Sequence, residues 1–228
     1  MAKETVEDPA VIEAGDRSLT DIAYDAIQKM IVTGRLGTHQ LISESELGRE
    51  LGCGRTPVRE ALQRLKFEGF VEVLPRRGIL VTAADVTGQL ELLEMRRPLE
   101  KLVVSLAAKR AKPKQKQAML HLADELERAI AENDIEHYLD INKMIHEIQA
   151  EATGNRFLKN QITVVHNLSR RFWYASISDT DSFSIAAKHH AATLRAIAEG
   201  DEISAAQANC ALLDCLEKAT KDSIRGIG

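Results

Sequence analysis

Between Leu47 and Leu65 the chain reads Leu-Gly-Arg-Glu-Leu-Gly-Cys-Gly-Arg-Thr-Pro-Val-Arg-Glu-Ala-Leu-Gln-Arg-Leu, two short helical patterns separated by glycines. Gly52-Cys53-Gly54 is expected to form a tight turn, because glycine tolerates the backbone conformations that such turns need. A second helix is expected from Arg55, and Pro57 is tolerated in its first turn. Two short helices joined by such a turn predict a helix-turn-helix.

The segments before this turn are also helical in pattern. Ser43 and Glu46 have the spacing of a capping box, in which the serine oxygen accepts an amide hydrogen at a helix start. The first helix of the pair is therefore expected over Glu44–Leu51. Apolar residues at helical spacing between Ile22 and Ile31 predict one more helix ahead of it.

The pattern after the second helix changes to short β-like stretches. Phe70–Leu74 and Ile79–Thr82 flank Pro75-Arg-Arg-Gly78, which predicts a two-stranded hairpin with a basic tip. A hairpin in this position is the wing of a winged helix-turn-helix. The N-terminal domain is therefore expected over residues 18–82.

The charge of this domain differs from the charge of the whole chain. Thirty basic and thirty-four acidic residues give the chain a formal charge of −4, whereas residues 49–78 hold seven basic and four acidic side chains. A cation-rich segment within an acidic protein is expected where DNA phosphates are contacted.

The start of the second helix carries the side chains suited to reading bases. Arg55, Thr56 and Arg59 lie where helix-turn-helix proteins present side chains to the major groove, and arginine can bind guanine through two hydrogen bonds. The alternative is a solvated helix face with internal ion pairs, such as Arg64 with a glutamate four residues away.

The rest of the chain is helical in pattern. Residues 83–88 are expected as a linker, and residues 89–228 as an all-helical domain that begins with an apolar stripe. Residues 1–17 are polar, acidic and aperiodic, and are expected to be a disordered arm. The sequence therefore predicts a mainly α protein, a winged helix-turn-helix followed by an antiparallel helical bundle. The bundle helices after the first are predicted at about 113–132, 134–153, 155–176, 181–199 and 202–224.

Composition narrows the class of protein further. Aromatic residues make up only 4% of the chain, which favours a helical protein over a β-sandwich. The three cysteines, Cys53, Cys210 and Cys215, form no CxxC pair, so a disulfide framework is not expected. No apolar run approaches the roughly 18 residues of a membrane span, and the acidic start lacks the apolar core of a signal peptide. A cytoplasmic protein with reduced thiols and no membrane partner is the expectation.

The stretch Leu47–Leu65, followed by Glu68-Gly-Phe-Val71 and Pro75-Arg-Arg-Gly78, resembles the DNA-binding domain of the GntR family of bacterial transcription regulators. The helical remainder resembles the ligand-sensing FCD domain of the FadR-type subfamily, in its short VanR-like form. The resemblance implies a homodimer that binds a near-palindromic double-stranded DNA operator and represses transcription until a small organic acid releases it. It also implies operator contacts by six residues, Arg49, Arg55, Thr56, Arg59, Arg77 and Gly78.

The resemblance further points to a metal site that is incomplete in this chain. Asn142, His146 and His190 match three of the four positions that bind a divalent metal in FCD domains, and the fourth falls at Leu212-Leu213. An amide oxygen is a weak ligand and leucine has no lone pair, so the expectation is zinc or nickel at low occupancy. The alternative is that the two histidines donate hydrogen bonds to an anionic effector without any metal.

The same domain carries candidate residues for binding a small organic acid. An arginine suits a carboxylate because its guanidinium can donate two parallel hydrogen bonds. The alternatives are an internal pair between Arg96 and Glu100, and a core position for Trp173, the single tryptophan. The six residues expected at the effector are Arg96, Asn142, His146, Arg171, His190 and Asn209.

Three functions remain open at this point. The first is a ligand-responsive DNA-binding regulator, and the second is an architectural DNA-binding protein whose helical half is purely structural. The third is a small metalloenzyme using His146 and His190, which is disfavoured because the chain has no HExxH, GxSxG or glycine-rich phosphate-loop motif. A ligand-induced thermal shift distinguishes the first from the second.

Overall fold

The computed structural model describes residues 18–176 and 180–225. The chain divides into two compact units, Met1–Ala83 and Ala84–Gly228. The arm expected over residues 1–17 lies outside the described residues.

The division between the units falls inside the linker expected at residues 83–88, but that linker is shorter than predicted. The first helix of the second unit already begins at Val86. It begins there because Asp85 caps it, with the Asp85 carboxylate accepting the amide hydrogen of Gly88 at 2.7 Å.

The first unit contains three helices and a small sheet in its described part. Serine caps set two of the helix starts: the Ser18 hydroxyl accepts the amide hydrogen of Asp21 at 3.1 Å, and Ser43 accepts that of Glu46 at 3.2 Å. In chain order the elements are α1 (Leu19–Val32), β1 (Leu41–Ile42), α2 (Glu44–Glu50), α3 (Arg55–Phe67), β2 (Val71–Leu74) and β3 (Gly78–Val81).

The three strands form an antiparallel sheet in the order β1-β3-β2. The hairpin of β2 and β3 pairs Val71 with Val81 and Leu74 with Gly78, which confirms the predicted wing. Strand β1 was not predicted, because two residues are too few to show an alternating pattern. It adds to the sheet by pairing Ile42 with Ile79.

The core of the first unit lies between α1 and α3, which pack against each other. Its largest fully buried side chains are Ile27 and Ile31 of α1, Leu62 and Leu65 of α3, and Phe70. Burying this apolar face of α3 leaves the opposite face, which carries the arginines, towards solvent.

The second unit is all helical in its described part. Its helices after the first begin and end within one residue of the predicted positions, because two glycines, one proline and an asparagine in the left-handed region interrupt the helical pattern. None of the described helices is long and apolar enough to cross a membrane. In chain order they are α4 (Val86–Arg110), α5 (Pro113–Glu132), α6 (Ile135–Ala152), α7 (Arg156–Ser176), α8 (Thr180–Glu199) and α9 (Glu202–Arg225).

The core of the second unit is built around α8, which packs against α5 and α9, while α4 packs against α9 and α7. Met119, Leu126, Ile145, Phe183 and Leu194 are among its fully buried side chains. A group of polar residues is buried beside this core, and that group forms the second candidate site.

Candidate functional site

The α3 surface consists of Arg55, Thr56 and Arg59, three exposed side chains in the first two turns of α3. They are exposed because the apolar residues of α3 recur at helical spacing on the other face. The structure thus brings the three residues predicted to read bases onto one accessible surface. The buried residues of the opposite face are Val58, Ala61, Leu62 and Leu65.

Arg59 is held by a carboxylate from the preceding helix. Its Nε donates to Glu44 Oε1 at 3.2 Å and to Oε2 at 3.1 Å, and its Nη2 donates to Oε2 at 3.0 Å. These hydrogen bonds raise the pKa of the Arg59 guanidinium. A guanidinium has five N–H donors, so this contact leaves the Nη1 side for a further partner. Glu44, the first residue of α2, therefore orients the arginine.

Arg64 lies on the same helix but joins α3 to α1. Its guanidinium carbon is 3.8 Å from the centre of the Tyr24 ring, and its Nε donates to Glu68 at 3.3 Å. The Tyr24 hydroxyl donates to the same glutamate at 2.5 Å. Internal ion pairing, which the sequence left open for the α3 arginines, is therefore the arrangement found at Arg64.

The tip of the wing combines exposed charge with a constrained backbone. Arg77 is exposed, and Gly78 has φ of 110°, where a Cβ would lie 3.2 Å from the Ile42 carbonyl oxygen. Gly78 is thus needed for the close approach of β1 and β3. Arg49, expected at a phosphate, is exposed at the end of α2.

The second candidate site is a cavity within the second unit, here called the central cavity. Arg96, Asn142, His146 and His190 line it, so four of the six residues expected at the effector come together. Side chains of α4, α6, α7, α8 and α9 surround this cavity, which is partly open to solvent.

Arg96 is paired inside the protein. Its Nε donates to Glu100 Oε1 at 2.6 Å, and its Nη1 donates to the Ser169 hydroxyl at 2.8 Å. His166 Nε2 is 2.9 Å from the same Glu100 oxygen. Burial alone raises the pKa of the Glu100 carboxyl, but Arg96 and His166 outweigh burial and hold it well below its usual range. The charge of Arg96 is therefore balanced by Glu100, and the internal pair is the arrangement found.

Three buried imidazoles lie beside this pair. The rings of His146 and His166 are stacked with centroids 3.7 Å apart, and His190 meets His146 edge-on at 5.4 Å. Burial lowers the pKa of all three histidines, that of His146 well below its usual range and that of His190 to about 3. The three rings are therefore neutral at physiological pH.

The three residues expected at a metal offer two imidazoles and one amide, which is a weak ligand. Ring lone pairs lie in the ring plane, so the stacked His146 and His166 do not direct them to a common point. His190 Nε2 is 3.1 Å from the Asn142 side-chain nitrogen. Within residues 18–176 and 180–225, no group of three or more His, Cys, Asp or Glu side chains is arranged to hold a metal. Leu212, at the position of the missing ligand, is fully buried in the hydrophobic core.

Two of the residues predicted at the effector lie elsewhere. Arg171 is buried but does not line the central cavity, because it points about 100° away from Arg170 on α7. Asn209 is also buried, but it lies closer to the start of α9 than the residues that line the central cavity. There it lines a separate depression with Arg97 and Cys210.

Sequence reasoning pointed to Arg170 and Trp173 on one wall of the cavity but missed His166 and Ser169. His166, Ser169, Arg170 and Trp173 all line it from α7. Their spacing of three, one and three residues places them on one helical face, which is a signal that a search for polar helix faces detects.

Comparison with known proteins bears on both units. Residues 19–81 match the family of bacterial regulatory proteins called the gntR family. Residues 91–214 match the FCD domain. The first match lies within the first unit of the structure and the second lies within the second unit. Together the two matches span most of the chain.

Individual relatives agree with these matches. The chain is 30% identical over 147 residues to the uncharacterized HTH-type transcriptional regulator YdhC of Bacillus subtilis. This match covers 64% of the chain and 65% of YdhC, so the chain spans just under two thirds of that relative's length. It is 32% identical over 152 residues to an uncharacterized HTH-type regulator of the TAR-I ttuE-ttuC' intergenic region of Agrobacterium vitis, covering 64% of this chain and 88% of that protein. The solved structure of E. coli McbR/YncC shares the fold, with a TM-score of 0.72 at 20% identity over 92% of this chain and 96% of that one.

Proposed function

Because the chain belongs to the gntR family of bacterial regulatory proteins, whose relatives are HTH-type transcriptional regulators and not enzymes, we propose that it represses transcription from a specific operator until a small organic acid releases it. This DNA-binding regulator would act in the cytoplasm, where its operator is found. The observation that carries the proposal is that one unit has an exposed α3 surface and the other has a cavity lined by both polar and apolar side chains.

DNA reading is assigned to α3 and the wing. Arg55, Thr56 and Arg59 are exposed at the start of α3, the part of a recognition helix that meets base edges in the major groove. Arg77 at the wing tip and Arg49 on α2 are exposed cations suited to the adjacent phosphates and minor groove.

Dimerisation is assigned to an apolar face of α4. Met95 and Leu102 are each 46% exposed, and their spacing of seven residues places them on the same side of the helix. Large apolar side chains grouped on a surface are typical of an interface. A two-fold dimer would place two α3 surfaces on the two halves of a near-palindromic operator.

The effector is assigned to the central cavity. Arg96 is already balanced by Glu100, so the lining cation that we assign to a ligand carboxylate is Arg170. Among the described residues, Arg170 contacts the Asn167 amide oxygen at 3.3 Å and the Tyr174 ring at 5.8 Å, neither of which carries a negative charge. A ligand that binds better to the form of the protein that cannot bind DNA would release the operator by population shift.

A reporter gene behind an operator selected in vitro tests this function. Expression of the protein should lower reporter output, and a small organic acid should restore it in the unmodified protein but not in Arg170→Gln. Raised output on expression would identify an activator instead. Repression that no organic acid relieves, together with no ligand-induced thermal shift, would favour the architectural alternative.

A further inference from the structure

The three cysteines of the chain lie in different surroundings. Cys210 is exposed, whereas Cys53 and Cys215 are half-buried. A cysteine attacks an electrophile as its thiolate, so access to solvent and a neighbouring cation both increase its reactivity. The surroundings of each thiol therefore indicate which of the three reacts first.

The two half-buried thiols have surroundings that favour the protonated form. The Cys53 Sγ donates to the Leu51 carbonyl oxygen at 3.5 Å, a contact that only the thiol can make. Burial raises the pKa of the Cys215 thiol, which lowers its thiolate fraction. Both thiols are therefore expected to react slowly.

The exposed thiol has a guanidinium beside it. Arg97 Nη1 donates to the Cys210 Sγ at 4.0 Å. The same guanidinium pairs with Asp214 at 2.7 Å and with Glu217 at 2.5 Å, and these carboxylates hold it against α9. Their negative charges offset that of Arg97, so the arginine favours the thiolate chiefly through the hydrogen bond that it donates to sulfur.

A depression extends beside Cys210 between α4 and α9, and Lys101, Gln207 and Asn209 line it. Asn209 is only 5% exposed, and within residues 18–176 and 180–225 its side chain has no hydrogen-bond partner. Buried polar groups in proteins are nearly always satisfied by protein, water or ligand. The Asn209 amide both donates and accepts, so it needs an occupant that can do the same.

The lining residues define the chemistry of that occupant. A peptide group offers one donor and one acceptor, which matches the Asn209 amide. A carboxylate complements the ammonium of Lys101, which is exposed at the depression. A disulfide complements Cys210, because a thiolate attacks the sulfur of a disulfide. A small acidic peptide disulfide combines all three groups.

We propose that Cys210 is a modification site for small acidic peptide disulfides, with the peptide bound by Asn209 and a carboxylate bound by Lys101. The Cys210 thiolate attacks one sulfur, so a new S–S bond forms while the S–S bond of the peptide disulfide breaks. The departing peptide thiolate takes up the proton that Cys210 released. Cys210 is oxidised and the departing peptide thiol is reduced, so no other oxidant is needed.

The depression lies apart from the other assigned surfaces. Lys101 points about 100° away from Leu102 on α4, and so away from the apolar face assigned to the dimer. Cys215, and not Cys210, lines the central cavity. The modification site is therefore independent of the proposed effector site.

Mass spectrometry of the full-length protein tests the proposal with two disulfides of opposite charge. Oxidised glutathione is an acidic peptide disulfide, whereas cystamine is cationic and has no peptide group. Each rate is divided by the rate at the same cysteine in urea-unfolded protein, which cancels the intrinsic reactivity of the reagent. We expect oxidised glutathione to modify Cys210 about tenfold faster than Cys53 or Cys215, and the normalised rate at Cys210 to be higher for oxidised glutathione than for cystamine.

Variants separate the thiol from its site. Cys210→Ser should abolish the adduct. Lys101→Gln should slow oxidised glutathione about threefold without slowing cystamine, the effect of one exposed charge contact. Asn209→Ala should likewise slow only oxidised glutathione, and Lys101→Gln, on an exposed residue, serves if Asn209→Ala does not fold. Lys109→Gln, which changes an exposed lysine of α4 outside the depression, is the matched control and should leave both rates unchanged.

Two results would overturn the proposal. Adducts that form equally at the three cysteines, or that do not form at Cys210, would show that its surroundings confer no reactivity. Equal normalised rates for the two reagents, unchanged in Lys101→Gln, would show an exposed thiol without a binding site around it. Neither result bears on DNA binding or on the effector, so failure here is distinct from failure of the proposed function.

Discussion

At the scale of single residues, the same side chain performs different tasks according to its neighbours. Arg59 is exposed and oriented by Glu44, Arg64 joins two helices, and Arg96 is buried against Glu100. The sequence placed all three on helices but could not tell them apart, because each partner except Glu100 comes from another element or from a helix end.

The first prediction concerns the α3 surface. Arg55→Ala and Arg59→Ala should each cost about 1–3 kcal/mol of binding free energy on the operator and reduce discrimination against other sequences. Arg35→Ala, which removes an exposed arginine outside α3, should leave discrimination unchanged. Fluorescence anisotropy on operator and random duplexes measures both quantities. Equal losses on the two duplexes would identify Arg55 and Arg59 as phosphate contacts.

The second prediction concerns Glu44. Glu44→Ala deletes a negative charge near the DNA, so the affinity for random duplex should rise. The same change removes the carboxylate that orients Arg59, so the ratio of operator affinity to random affinity should fall. Glu50→Ala removes an equal charge from α2, where Glu50 pairs with Arg35 at 2.5 Å, and is the matched control. If Glu44→Ala and Glu50→Ala change the ratio alike, the bond between Glu44 and Arg59 has no role in specificity.

The third prediction is a pH dependence from the buried histidines. His146, His166 and His190 have folded-state pKa values below the unfolded value of about 6.5, so below that pH the unfolded chain binds protons that the folded chain does not. The free energy of unfolding should be highest above pH 6.5 and fall on acidification. Well below pH 6.5 the slope approaches about 1.4 kcal/mol per pH unit for each histidine.

Urea unfolding at several pH values between 7.5 and 5 measures this slope. His190→Asn should make it shallower by one proton, whereas His121→Asn, at an exposed position, should not alter it. A stability that stays constant over this range would mean that the three rings are not buried and neutral as described.

At the scale of elements, the bounds of the helices could be predicted from the sequence, whereas the geometry of the candidate sites could not. The bounds of α5 to α9 agree with the prediction because Pro113, Asn133, Gly154 and Gly200 mark the ends of long periodic runs. Strand β1 was not predicted, because its pairing with β3 is a contact between distant parts of the chain that leaves no local pattern in the sequence. His166 and Ser169 on α7 were not predicted at the cavity, because periodicity identifies a helix face but not the elements that this face contacts.

The fourth prediction concerns the apolar face on α4. Leu102→Glu places a charge among exposed apolar side chains, so it should dissociate the proposed dimer. Leu120→Glu on α5 changes a residue of similar exposure and should not. Light scattering after size exclusion distinguishes monomer from dimer. A Leu102→Glu protein that remains dimeric would place the interface elsewhere.

At the scale of the whole molecule, the chain divides into two units, each with its own core, and we assign DNA binding to the first and effector binding to the second. The net charge of −4 keeps general attraction to DNA low, so binding has to come from the local cationic surface of α3 and the wing. Such a protein should bind one sequence strongly and other sequences weakly.

Selection of bound duplexes from a randomised DNA library tests this central claim most directly. The account predicts enrichment of one near-palindromic sequence, bound about a thousandfold or more tighter than unselected duplex at physiological salt. Its half-sites should be related by two-fold symmetry, and the enrichment should be lost in Arg55→Ala. Selection that enriches no sequence, with equal affinity for all duplexes, would contradict the account.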